Sequence, residues 1–377
     1  MIQEDRLVRL FLDLVAFNAP ALKEKEVVAW TEGLLRDMGL EVWQDDAGDR
    51  IAGNANNLIA RLPANREGAP KVFLSAHFDT VEPTEGLVVE EIDGVFVSTS
   101  DTILGADDKG GMAPAIEAVQ VLIESGEPHG DVFLLFSVAE EIGLLGADAL
   151  KIEKLNLDFG FVLDTGPPVG SFVTRTATHD KLDVTIHGRP AHAGKDPENG
   201  INAIQVAARA VDRMRLGRIG PETTANLGII EGGTAVNVVC AEVRLYGEAR
   251  STDVNTLDEQ IGHMIATFEE AATHYGTTVE IHHHRHYGAY HVPDDAPVVR
   301  VAQAASRSLG LDSVLRTTLG GSDANVYNAK GVPTIVVATG MEHIHTHDER
   351  ISRRDLVDTA RLAYALLVQS GAFSDAE

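Results

Sequence analysis

The sequence predicts an α/β protein: a mixed, largely parallel sheet flanked by helices, interrupted by a separate α+β segment. Three observations carry this. Short unbroken apolar runs, "KVFLSAH", "GDVFLLFSVAEE" and "FGFVLDT", read as strands buried on both faces. Segments with apolar residues at helical spacing alternate with them. Between residues 178 and 291 the texture changes to strands that alternate apolar and polar residues, as half-exposed strands do.

Taken in order, residues 2–17 and 23–39 read as amphipathic helices, the second closed by Gly39. "NNLIARL" and "KVFLSAH" follow as strands, and "GGMAPAIEAVQVLIESG" as a helix ending at Gly126. The runs ending at Glu140–Glu141 and at Asp164 are two further strands. From Thr178, "HDKLDVTIHG" reads as a strand, residues 200–216 as a helix, and "TTANLGIIEGG" and "AVNVVCAEVRLYGEARS" as strands. A helix over 254–275 and the strand "TVEIHHHRHYG" complete a β-α-β-β-α-β order, the pattern of a split βαβ unit. After Pro293 the α/β texture resumes with a helix at 296–309, the strand "GVPTIVVAT" and a last helix near 353–371. The expected domains are therefore a discontinuous one, 1–177 with 292–377, and an inserted one, 178–291.

A chain of 377 residues with 44% hydrophobic residues is long enough for two domains and a sizeable core. A net charge of -26 argues against nucleic acid, whose phosphates need a basic surface. No apolar run reaches the ~20 residues of a membrane helix, and the first residues do not follow the basic-then-apolar order of a signal peptide. Cys240 is the only cysteine, which excludes an intrachain disulfide and thiolate metal clusters and fits a reducing compartment. The expectation is a cytoplasmic protein with neither a nucleic-acid nor a membrane partner.

The acids fall where the strands end. "KVFLSAH" leads into His77 and Asp79, "LLFSVAEE" into Glu140 and Glu141, "FVLD" into Asp164, and Asp107 and Asp108 stand just before a helix. Ligands of open α/β sheets bind beyond the carboxyl ends of the strands, so these groups converge on one crevice. Singly, each pattern is ordinary: a loop H-x-D, a solvated Glu-Glu, an Asp-capped helix entry. Together they would repel one another unless a cation lay among them. Imidazoles with carboxylates suit zinc, with manganese or cobalt as substitutes. The second imidazole belongs to "MEHIHTHDER", where His343, His345 and His347 are near-equivalent, as are Asp107 and Asp108.

The order "SAHFDT … GADDKGG … AEEIG … LDTG … IHTHDE" resembles that of the dinuclear zinc exopeptidases, the family of peptidase T, glutamate carboxypeptidase, succinyl-diaminopimelate desuccinylase and the aminoacylases. The likeness spans nearly the whole chain, and "GADDKGG" and "AHAGKDPENGINAI" look most like peptidase T and its shorter relatives. The resemblance implies an exopeptidase-like catalytic domain with a ferredoxin-like lid, through which a homodimer forms. It implies two divalent metal ions, zinc first. His77 and Asp164 would hold one, Glu141 and His345 the other, with Asp107 bridging both. His345 is favoured over its neighbours because Glu349 follows at the family's spacing. Asp79 would orient His77 and Glu140 would act as general base. A cis bond is expected at Asp107–Asp108. His192 matches the lid histidine that stabilises the oxyanion, and Asn237 and Arg250 match lid positions that contact substrate. Gly320, Gly321 and Ser322, in "LGGSDAN", match a glycine loop beside the site.

The bland readings of these last residues are a surface loop histidine for His192, a sheet-surface ion pair for Arg250 and an ordinary tight turn for Gly320–Gly321. The run "IHHHRHYGAYH" reads as surface histidines. On a strand His282, His284 and His286 share one face and His283 takes the other. His77 and Asp107 stand 30 residues apart (107 minus 77), closer than in peptidase T proper. The implied activity is hydrolysis of a short peptide, foremost by a tripeptide aminopeptidase. The alternatives are a carboxypeptidase, an N-acyl-amino-acid amidohydrolase, or an inactive metal-binding dimer, the last opposed by the intact Glu140.

Overall fold

The computed structural model describes residues 1–373 and divides into two compact units. The first comprises residues 1–174, 291–317 and 322–377; the second comprises 175–290 and 318–321.

The first unit is built on an eight-stranded sheet. Its centre is four parallel strands side by side, in the order Val132–Ser137, Val72–His77, Phe159–Val162 and Thr334–Val337. Each is buried along its whole length, which is why these segments are continuous apolar runs in the sequence. Antiparallel strands Leu58–Leu62 and Glu41–Gln44 extend one side, and Ser171–Arg175 pairs antiparallel on the other. Helices Glu4–Val15, Ala106–Ser125, Pro297–Ser308 and Arg353–Ala372 turn apolar stripes inward; Leu7, Phe11 and Leu14 of the first are wholly buried. Gly126, left-handed at φ 66°, closes the helix Ala106–Ser125 by donating its N–H to Leu122 O at 3.0 Å.

Several short elements went unread in the sequence, a hairpin among them. The hairpin Val89–Ile92 and Val95–Ser98 joins Arg350–Ser352 in a small three-stranded sheet. Its turn is Asp93–Gly94, both at positive φ, the usual chemistry of a two-residue hairpin.

The second unit is a five-stranded antiparallel sheet, ordered Gly217–Gly220, Thr223–Gly232, Glu242–Ser251, Thr178–His187, Thr278–Tyr287. Without its short edge strand Gly217–Gly220, the order is that of a split βαβ unit. The long alternation expected from Ala235 begins only at Glu242; residues 233–241 are an exposed loop running into the buried Cys240. Helices Ala203–Arg213 and Val254–Tyr275 cover one face, burying Leu182, Val184, Ile186, Val206, Leu245 and Phe268.

The same face of Thr178–His187 carries the fully buried Asp180. Its carboxylate takes two bonds from Arg285, at 2.9 and 3.1 Å, and one from His283 Nε2 at 2.8 Å. So part of the histidine-rich strand serves the second unit's own packing. Burial raises the Asp180 carboxyl, but Arg285 and His283 outweigh it and hold it below the usual range. A depressed folded pKa contributes stability that is present above the unfolded value, about 3.9, and is lost as pH falls through the folded one. Asp180→Asn is therefore expected to destabilise the protein by about 1–3 kcal/mol at pH 7. Paired denaturant melts should show that deficit shrinking below pH 4; a deficit independent of pH would contradict it.

Candidate metal centre

Four connections at the carboxyl ends of the central strands bring the candidate residues together. His77 ends its strand, Glu140 and Glu141 lie in the turn after Ser137, Asp164 follows Val162, and His345 lies in the loop beyond Val337. Asp107 enters from the start of the helix Ala106–Ser125, and the Asp107–Asp108 peptide is cis, as expected. His77, Asp107 and Asp164 form one group whose donor atoms all lie within 4.8 Å of one another; Asp107, Glu141 and His345 form a second. Asp107 belongs to both. Among the described residues no other such group of three exists, and the lid histidines form none.

The donor chemistry fits cations. His77 Nδ1–H donates to the carbonyl of Asp79 at 2.9 Å, which leaves the Nε2 lone pair facing Asp107 Oδ1 at 3.2 Å. Two lone pairs cannot face each other at that distance unless a cation or a proton lies between them. His345 Nε2 stands in the same relation to Asp107 Oδ2, at 3.2 Å, and to Glu141 Oε1, at 3.1 Å. Those two carboxylates push the His345 imidazole up to about 10. Burial works against a charged His77, but Asp107 and Asp79 hold it well above the ordinary imidazole range. Burial drives the Asp164 and Glu140 carboxyls well above theirs, and neighbouring carboxylates add to it. Asp107 alone goes the other way: bonds from His345 and His77 outweigh its burial.

This geometry separates the near-equivalent candidates. His347 pairs with the exposed Asp101 at 3.3 Å, and the His343 carbonyl takes the Thr346 hydroxyl. Asp108 turns its Oδ2 back to the amide of His77, at 3.3 Å.

A set of buried groups, only in part foreseen from the sequence, holds the backbone around these residues. The Asp79 carboxylate is 3.5 Å from His77 Nδ1, yet it also accepts the amides of Glu140 and Glu141, at 2.9 and 3.0 Å. Glu349 accepts the amides of Gly105 and Asp107, at 2.6 and 2.8 Å, and burial raises its carboxyl to about 7. Lys109, fully buried, donates to the carbonyl of Phe78 at 2.5 Å. Asp323 accepts the Ser137 hydroxyl. Asp79 had a sequence signal in the H-x-D that ends its strand, and Glu349 in its spacing from His345; Lys109 and Asp323 had none that was read.

The remaining candidates lie elsewhere. Ser322 is the N-cap of the helix Asp323–Ala329, in a capping box with Asn325. In the second unit, His192 is exposed and its Nδ1 accepts the amide of Gly194 at 3.1 Å. The carbonyl of Asn237 accepts the amide of Ala193 at 3.0 Å, so these two loops adjoin. Arg250 forms a two-point ion pair with Glu248, at 3.2 and 3.0 Å, and also donates to Leu319 O and Tyr287 Oη. Gly321 packs so close to the Tyr287 ring that a Cβ would overlap it, and Gly320 N donates to Thr318 Oγ1 at 3.1 Å.

A largely parallel α/β sheet with two imidazole–carboxylate groups sharing one aspartate defines a metal-dependent hydrolase. The chain belongs to peptidase family M20/M25/M40, whose pattern it matches over residues 73–369, and it is a metallopeptidase. It is 38% identical to the uncharacterized protein YqjE of Bacillus subtilis (strain 168), over 98% of this chain and 100% of that one. The crystal structure of an aminopeptidase PepT from Bacillus cereus ATCC 10987 is similar with a TM-score of 0.89 and 39% identity, covering 98% of this chain and 99% of that chain. A tripeptidase from Staphylococcus aureus superposes with a TM-score of 0.94 and 36% identity, covering 99% and 100%.

Removal of metal should leave the carboxylates of the two groups without their counter-charge. Chelation at pH 7 is expected to lower the melting temperature by several degrees, about 2–4 °C for each kcal/mol of bound-ion stabilisation. Zinc should restore it, and His77→Ala should remove most of the restored increment. Melting curves insensitive to both chelator and zinc would refute the cation sites.

Proposed function

We propose that this chain is a dinuclear metal-dependent exopeptidase that removes the N-terminal residue of short peptides, tripeptides foremost. The observation that carries the reading is the pair of donor groups joined at Asp107, with the buried Glu140 in neither. The similarity to an aminopeptidase and to a tripeptidase, over nearly the full length of each, supports the choice of substrate.

His77, Asp107 and Asp164 would hold one divalent ion, and Asp107, Glu141 and His345 a second, zinc first with cobalt or manganese as substitutes. Such ions, when bound, polarise a carbonyl and lower the pKa of water. Glu140 takes a proton from the attacking water at its carboxylate and later delivers it to the leaving amine. Burial raises that carboxyl, which suits a group that must hold a proton between the two steps. Asp79 keeps the His77 ring in its tautomer through its carbonyl, leaving Nε2 as the ligand atom. His192 has its Nδ1 occupied by an amide, so its neutral ring carries an Nε2–H able to donate to an oxyanion. Asn237, Arg250, Gly320, Gly321 and Ser322 are the proposed substrate contacts. Arg250 would share its guanidinium between Glu248 and a substrate carboxylate. Action in the cytoplasm, supported by the lone Cys240, and a homodimer formed through the lid belong to the same proposal.

Two experiments test it. Glu140→Gln is expected to lower kcat by about 10²–10⁴-fold while the ratio of metal to protein stays unchanged; full turnover would remove the base. Mass analysis of a peptide library should show loss of the N-terminal residue from free tripeptides and no cleavage once the α-amine is acetylated. Release of the C-terminal residue, or hydrolysis of N-acyl amino acids instead, would hand the site to the carboxypeptidase or amidohydrolase reading.

A further inference from the structure

The turn that carries Glu140 and Glu141 is neither helix nor strand, yet four consecutive amides in it are each taken by a side chain. Val138 N–H goes to Asn57 Oδ1 at 3.1 Å, Ala139 N–H to Glu24 Oε1 at 2.9 Å, and Glu140 and Glu141 N–H to the two oxygens of Asp79. Ala139, immediately before the base, sits in the left-handed region at φ 53°. An L-residue with a Cβ rarely adopts that conformation, so something must hold it there. Glu24 is the group placed to do so. It stands just ahead of the helix Lys25–Asp37, is 1% exposed, and is 115 residues distant in sequence from Ala139.

The same oxygen, Glu24 Oε1, also accepts the amide of Leu22, at 2.9 Å. Leu22 is itself left-handed, at φ 69°. One buried carboxylate oxygen therefore ties together two left-handed residues that are 117 positions apart in sequence (139 minus 22). Glu24 belongs to neither cation group, and its second oxygen is buried with no hydrogen-bond partner. Its ordered contacts are with backbone, and one of them sets the residue whose φ directs the chain into Glu140.

We propose that Glu24 is a positioning residue for Glu140: by accepting the Ala139 amide it fixes the left-handed turn that aims the carboxyl of the base. This rests on the reading of Glu140 as general base. A misplacement of about 1 Å at a reacting group can cost on the order of a hundredfold in rate, so releasing Ala139 should appear in kcat rather than in substrate affinity.

The experiment is steady-state kinetics with metal analysis on metal-loaded protein, for Glu24→Ala, Glu24→Gln and each combined with Glu140→Gln. Glu24→Ala is expected to lower kcat about 10- to 100-fold with KM nearly unchanged and with the wild-type metal-to-protein ratio. Glu24→Gln, which keeps an acceptor oxygen for both amides, should restore most of the rate. In the Glu140→Gln background, Glu24→Ala should have almost no further effect, because the group it aims is already disabled. Wild-type kcat in Glu24→Ala overturns the proposal. So does an undiminished loss on top of Glu140→Gln, which marks general damage, and so does a Gln variant as slow as the Ala variant. If Glu24→Ala does not fold, Glu24→Asp, which withdraws the carboxylate by one methylene, takes its place with the same expectations. Full activity in Glu140→Gln alone would instead remove the base, and is read separately from any result at Glu24.

Discussion

Mutual repulsion among Asp107, Glu140, Glu141 and Asp164 is the constraint around which this domain is organised. These groups meet at the carboxyl ends of parallel strands, Asp107 and Glu140 buried and Asp164 and Glu141 half-buried. Bringing several carboxylates out of water costs several kcal/mol each even after relaxation. Among the described residues no arginine or lysine forms an ion pair with them, and His77 and His345 are the basic groups that do. A core that gathers this many anions with only the buried Lys109 beside them is arranged for a charge that comes from outside the chain, and divalent ions are the compact way to supply it.

Such a site also needs its acids held apart in defined places, and a second population of buried polar groups does this. Asp79, expected only to orient His77, and Glu349, noted only for its spacing from His345, each spend their oxygens on backbone amides of the segments that carry the candidate ligands. Lys109 pulls the Phe78 carbonyl, between His77 and Asp79, onto the helix that carries Asp107. Hydrogen bonds to the charged form favour it, and with His77 they hold the Asp79 carboxyl below its usual range, whereas burial outweighs the two amides at Glu349 and raises its carboxyl. The acids thus divide by what their oxygens face: amides for the groups that hold the backbone, imidazoles and other carboxylates for the groups that face a cation.

That division explains what could be read in advance. The parallel strands were legible because burial on both faces leaves an unbroken apolar run, and the ligand acids were legible because they stand where those runs stop. His345 stood out from His343 and His347 only through a family spacing, since all three share a short loop and no periodicity distinguishes them; the structure separates them by their partners. Asn57 and Glu24 were invisible. Each looks like an ordinary polar residue at the start of a strand or helix, and its partner lies 81 or 115 residues away. The Asp93–Gly94 hairpin, by contrast, had its turn signature in plain view, between valines and isoleucine. In the second unit, His282, His283 and His284 are exposed, as the sequence suggested, and His283, on the other face, also joins Arg285 on Asp180.

The two units also differ in how their candidate residues are held, and this bears on where specificity resides. The ligands of the first unit are fixed by buried side chains that would be costly to change one at a time. In the second, His192 and Asn237 sit on exposed loops whose shape is set by main-chain bonds, Ala193 N–H to Asn237 O and Val239 N–H to Ala191 O among them. Main-chain bonds survive side-chain substitution, so the residues displayed on those loops can change without unfolding the loops. Arg250 lies between the extremes, because its pair with Glu248 fixes the guanidinium plane while leaving it half-buried. A fold that buries its candidate reacting groups behind backbone clamps and displays the proposed substrate contacts on self-supporting loops can keep one hydrolytic chemistry while the molecules it cleaves are altered around it.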